Sequence, residues 1–134
     1  MKAVLLDTNA FSSLFRGDEE VLKAISKADH VFASVVVIGE LETGFRGGTR
    51  YAENIEILDM LLLKPTVETL EVTRETSDCF GRIKDALRRK GAPIPVNDIW
   101  IAAQCIERGA IIVTYDRHFA NIDGLRILHL VQPD

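Results

Sequence analysis

Three aspartates in this chain stand at or near the ends of short apolar or helix-like runs, at places where α/β proteins commonly do chemistry. Asp7 follows Val4-Leu5-Leu6, Asp116 follows the run from Ala110 to Val113, and Asp98 opens the helix-like stretch leading into that run. In an open parallel sheet the ligand site lies beyond the carboxyl ends of the strands, so all three side chains can converge on one edge. Carboxylates held together repel one another unless they take up protons or bind a hard cation. No Cys or His accompanies them at ligand-like spacing, which favours Mg²⁺ or Mn²⁺ over softer ions. Such a cation activates water and stabilises charge on a phosphate, through one ion or two spaced about 3.5–4 Å apart.

Each aspartate also has a purely structural reading. Asp7 opens Asp-Thr-Asn, which is helix-capping chemistry, and Asp98 suits the cap of the helix beginning at Ile99. Asp116 lies in a turn-like Tyr-Asp-Arg-His. Singly, the structural readings win; their shared position at strand ends is what argues for a site. Farther along, Glu40 and Glu42 compete on one helix. Glu42 is four residues from Ile38 and three from Phe45, on the inward stripe, so helical spacing does not select Glu40.

The elements that must position these groups alternate between strand-like and helix-like runs, the pattern of an α/β domain with a mostly parallel sheet. Strands are expected at Val4 to Leu6, His30 to Ser34, Thr69 to Val72, Ala110 to Val113 and Leu125 to Leu130. Helices are expected at Ala10 to Phe15, Glu19 to Ser26, Val36 to Gly44 and Tyr51 to Leu62. A longer one runs from Thr73, its N-cap, to Lys90 and stops at Gly91. Pro93 and Pro95 hold an extended loop, after which Asn97 or Asp98 caps a helix through Ile106.

With 134 residues, 47% of them hydrophobic, residues 1–134 are expected to form one domain with a real core. The formal charge of -4, from 16 Lys and Arg against 20 Asp and Glu, does not exclude RNA, because acids gathered in a metal site offset a basic surface elsewhere. Cys79 and Cys105 form no disulfide framework and read as reduced and structural. The apolar run ending at Asp7 is far too short for a signal-peptide core or a membrane span. A cytoplasmic location without membrane attachment is the expectation.

Four segments then read as an ordered set: Asp7-Thr8-Asn9, Ile38-Gly39-Glu40-Leu41, Asn97-Asp98-Ile99-Trp100-Ile101-Ala102-Ala103 and Thr114-Tyr115-Asp116-Arg117-His118-Phe119. The set resembles the PIN-domain ribonucleases and, more narrowly, the VapC toxins of toxin–antitoxin operons, over nearly the whole chain. The resemblance implies a three-layer α/β/α fold and Mg²⁺- or Mn²⁺-dependent hydrolysis of RNA by Asp7, Glu40, Asp98 and Asp116. It is the resemblance that selects Glu40 over Glu42. It further implies polar support from Thr114, Asn9 and Asn97, a homodimer and a small antitoxin partner, to which part of the face bearing Phe11, Leu14 and Phe15 is given.

Arg46, Arg50 and Arg117 are candidates for RNA contact, whereas the cations Arg82, Lys84, Arg88, Arg89 and Lys90 suit a solvated helix end. Trp100 reads as core, and His30, His118 and His129 as structural or surface residues. An aspartate-based phosphatase of the haloacid-dehalogenase type is an alternative, but it needs a second aspartate where Asn9 stands. A receiver-like domain needs an early acidic pair and a late lysine, neither evident. A domain of this fold that binds RNA without cleaving it is the remaining alternative.

Overall fold

The computed structural model describes residues 3–132. Among them, five strands form one sheet in the order β3-β2-β1-β4-β5, with every neighbouring pair parallel. The strands are β1 Ala3–Leu6, β2 His30–Ser34, β3 Val67–Leu70, β4 Ile111–Thr114 and β5 Arg126–His129. The helices are α1 Thr8–Phe15, α2 Glu19–Ser26, α3 Val35–Arg46, α4 Tyr51–Leu62, α5 Arg74–Lys90 and α6 Val96–Glu107, and a 3-10 turn spans His118–Asn121.

Strand β1 is central and buried on both faces, which is why its sequence lacks polar alternation. Alternation along the strands sorts the two helical layers. Leu6, Val31 and Val67 face Phe11 of α1, Leu22 of α2 and Ile57 of α4. On the opposite face Leu5 is in register with Phe32, whose ring lies beneath the Arg108 guanidinium at the end of α6. Helix α5 packs on α6, so the sheet lies between two helical layers. The three-layer α/β/α expectation therefore holds.

Several boundaries differ from the expected ones. Helix α1 starts at Thr8 because the Asp7 side chain accepts the Ala10 N–H at 2.9 Å and so makes Asp7 the cap. Strand β3 is Val67–Leu70 rather than Thr69 to Val72: register with β2 buries Leu70 and leaves Val72 42% exposed. Neither Asn97 nor Asp98 caps α6. Pro95 takes that position, with φ -55°, and its carbonyl accepts from Asp98 N at 3.0 Å and Ile99 N at 3.3 Å. Helix α3 runs to Arg46, through Gly44. The expected Thr73 cap is present, reinforced by a reciprocal bond with Thr76.

A buried polar bracket ties the sheet to α6. Ser34 caps α3 and donates to Gln104 Oε1 at 2.5 Å, while Gln104 Nε2 donates to the Leu70 carbonyl at 3.2 Å. Thus the ends of β2 and β3 hold the helix that carries Asp98. Cys105, also on α6, is fully buried, and burial pushes its thiol up to about 12, which fits an inert structural role.

Candidate active site

The strand order reverses between β1 and β4: the chain runs outward through β2 and β3, then returns to the other side of β1. A crevice forms at such a reversal, beyond the carboxyl ends of the strands. Asp7 stands there, one residue past Leu6 and beside β4, with its N–H on the Val113 carbonyl at 3.3 Å. Its carboxylate is 1% exposed. Oδ1 caps α1, and Oδ2 accepts the Thr114 hydroxyl at 2.5 Å.

Thr114 is the last residue of β4, and its Oγ1 also accepts the Asp116 N–H at 2.9 Å. One hydroxyl thereby couples two of the acids. Asn9, from the first turn of α1, donates to Asp116 Oδ2 at 3.3 Å. Asp98 reaches the site from the first turn of α6, its carboxylate not spent on capping because Pro95 starts the helix. Its Oδ2 lies 2.8 Å from His118 Nε2.

Glu40 comes from the middle of α3. Its Oε1 accepts from the Thr8 hydroxyl and its Oε2 from Asn97 Nδ2 at 3.3 Å. Glu42 instead accepts from Tyr51 and pairs with Arg46 at 3.6 Å. The inward stripe to which Glu42 belongs therefore leads to α4, and the neighbouring face bears the site residue. Thr8 belongs to the first motif but had no role assigned to it; its place immediately after Asp7, at a strand end, was the available signal.

Electrostatics show that the four acids share one field. Burial is the main cause that pushes Asp7 up to about 6, with Thr114 and the Ala10 N–H opposing it and Asp116 and Asp98 adding repulsion. Asp98 is also raised, chiefly by burial and further by Glu40 and Asp116, while His118 opposes. Among the described residues no three such side chains converge tightly enough to cage an ion. An open, oxygen-only set beneath a buried carboxylate of raised pKa fits a hydrated hard cation bound through one or two carboxylates.

The arginine candidates are placed differently from one another. Arg46 lies over the Tyr51 ring, 4.5 Å from its centroid, and Arg50 pairs with Glu53 at 3.8 Å. Arg117 is exposed beside Asp116 and forms no ion pair among the described residues. On α5, Asp78 pairs with Arg82, and Asp85 pairs with Arg88 and Arg89. Trp100 is only partly buried and stacks on Phe80 with centroids 3.9 Å apart.

The PIN-domain family model matches residues 4–125. The chain belongs to the PIN-domain family. Within that family it shares 30% identity over 129 residues with Ribonuclease VapC2 of Haemophilus influenzae, covering 94% of this chain and 96% of that one. The DNA-bound VapBC structure from Salmonella typhimurium matches at a TM-score of 0.83 and 25% identity, over 96% of this chain and 98% of that chain. VapBC-5 from Mycobacterium tuberculosis, a member of the VapBC family of toxin-antitoxin systems, matches at 0.71 and 26% identity, over 96% of this chain and 98% of that chain. The PIN-domain membership and the fold expected from the four motifs are thus both found.

Proposed function

We propose that this chain is a Mg²⁺- or Mn²⁺-dependent endoribonuclease, the toxin of a VapBC-type toxin–antitoxin module, with residues 1–134 forming one nuclease domain. The observation that carries this reading is the meeting of Asp7, Glu40, Asp98 and Asp116, each from a different segment, at the reversal point between β1 and β4. The names of its VapC and VapBC relatives support the biological role.

Asp7 and Asp98 are the carboxylates that would hold the cation, with Asp116 and Glu40 engaging it directly or through water. A bound Mg²⁺ or Mn²⁺ supplies water activation and charge stabilisation at the scissile phosphate. Thr114 holds Asp7 and the Asp116 backbone in one arrangement, and Asn9 steadies the Asp116 carboxylate. Thr8 and Asn97 grip the two oxygens of Glu40, which makes it a fixed acceptor for a water proton. No side-chain nucleophile is required.

An apolar cleft of about 410 Å³ between α1, α2 and α4 supports an antitoxin partner. It is lined by Phe11, Leu14, Phe15, Leu22, Ile57 and Met60, and the last three are 56%, 52% and 65% exposed. A homodimer and a cytoplasmic location complete the proposal. No described helix is long and apolar enough to cross a membrane. The test is RNA cleavage with Mn²⁺ by the purified chain and by Asp98→Asn, which is expected to fold and to lose cleavage; full activity in the variant would overturn the site.

A further inference from the structure

Among the described residues His118 is the only Lys, Arg or His side chain whose nitrogen lies within 4 Å of any of the four carboxylates. It begins the His118–Asn121 turn, two residues beyond Asp116. The next residue, Phe119, is completely buried, and Lys90 Nζ of α5 donates to the Asn121 carbonyl at 2.8 Å, so the turn is anchored at both ends. The imidazole is therefore presented from a turn held by packing and a hydrogen bond. Its Nε2 is sealed from solvent, lies 2.8 Å from Asp98 Oδ2 without the alignment of a full hydrogen bond, and has no other polar partner among the described residues.

A buried ring nitrogen without another partner is costly unless its neighbour compensates it. Asp98 is that neighbour, and a carboxylate has a second oxygen to spare. We propose that His118 is a positioning residue: it engages Asp98 through Oδ2, leaves Oδ1 for the divalent cation, and so sets how tightly the site would hold that ion. The inference rests on the metal-dependent reading above. It makes the turn after Asp116, rather than the four acids alone, part of the ion-binding apparatus.

The test is Mn²⁺ affinity of the full chain, read from the electron paramagnetic resonance signal of unbound Mn²⁺, for the wild type, His118→Ala, His118→Gln and His118→Asn. Circular dichroism and thermal unfolding check each fold. The Gln amide nitrogen reaches the place of Nε2, whereas the shorter Asn amide reaches only that of Nδ1. Loss of an outer hydrogen-bonding partner typically weakens metal binding about 10- to 100-fold. That loss is expected for Ala and Asn, with most of the affinity restored in Gln. Wild-type affinity in His118→Ala, or equal weakness of Gln and Asn, overturns the proposal; the Gln and Asn pair decides it should Ala fail to fold. If the wild type itself binds no Mn²⁺, the metal-dependent reading falls and takes this one with it.

Discussion

Asp7 works against the stability of the apo fold. A carboxyl raised from 3.8 to about 6 in the folded chain favours folding below the unfolded value, and that contribution is lost as pH rises through the folded one. The difference corresponds to ~3 kcal/mol at most. Asp7→Asn keeps an acceptor for the Ala10 N–H and removes the buried charge. Urea unfolding in chelator is expected to show the variant gaining on the wild type between pH 4 and 6, with a constant advantage above, while RNA cleavage disappears. Equal pH profiles would contradict the burial argument. Thr8→Val removes one of the two donors to Glu40; cleavage is expected to fall about 10- to 100-fold with unchanged unfolding, and Thr8→Ser to retain most of it. Asp7 and Asp116 were legible because strand ends announce themselves in sequence, and Asp98 because it opens the helix that leads into β4. The grip of Thr8 on Glu40 joins residues far apart in the chain, and no local pattern encodes it.

The decisive element is α6, whose start at Pro95 leaves Asp98 available to the site. Proline fixes its own φ and lacks a donor that the helix would not have used, so it does the work that capping logic had assigned to Asn97 or Asp98. The same helix is held from behind by Gln104. Gln104→Leu deprives Ser34 and the Leu70 carbonyl of their partner in the core, and chemical denaturation is expected to show a loss of about 2–3 kcal/mol. At the end of α5, Gly91 closes the helix with φ 68°, where a side chain is strained; Gly91→Ala is expected to cost ~1 kcal/mol by the same measurement. The Gly91 stop was readable from sequence because backbone conformation selects glycine locally. The displaced β3 was not, because an edge strand is defined by its register with β2.

Across the molecule, α1 has two faces with different duties. Its first turn supplies Thr8 and Asn9 to the acidic site, and its apolar side lines the cleft shared with α2 and α4. Leu22→Glu charges the rim of that cleft at a position already 56% exposed, so stability is expected to change by no more than about 0.5 kcal/mol. RNA cleavage is expected to persist while a co-expressed antitoxin no longer relieves growth inhibition. Relief at the wild-type level would exclude the cleft as the partner's seat. Outside that cleft, the Tyr115 hydroxyl donates to Asp18, the cap of α2, and so ties the segment after β4 to that helix. That bond is the largest cause holding the Asp18 carboxyl below its ordinary value.

What the sequence determined by itself was the alternation of elements, the α/β class and the placing of Asp7 and Asp116 just past buried strands with Asp98 at the start of a helix. Hydrophobic period and strand-end position are local properties, readable without knowing what packs on what. Glu40 was chosen by its motif, since the helical stripe pointed to Glu42. Only the tertiary structure decided that the Glu42 face turns to Tyr51 while Glu40 meets Thr8 and Asn97. The same is true of His118 against Asp98 and of the raised carboxyl of Asp7. These depend on burial and on distances between segments remote in the chain, quantities that exist only once the sheet has closed around β1.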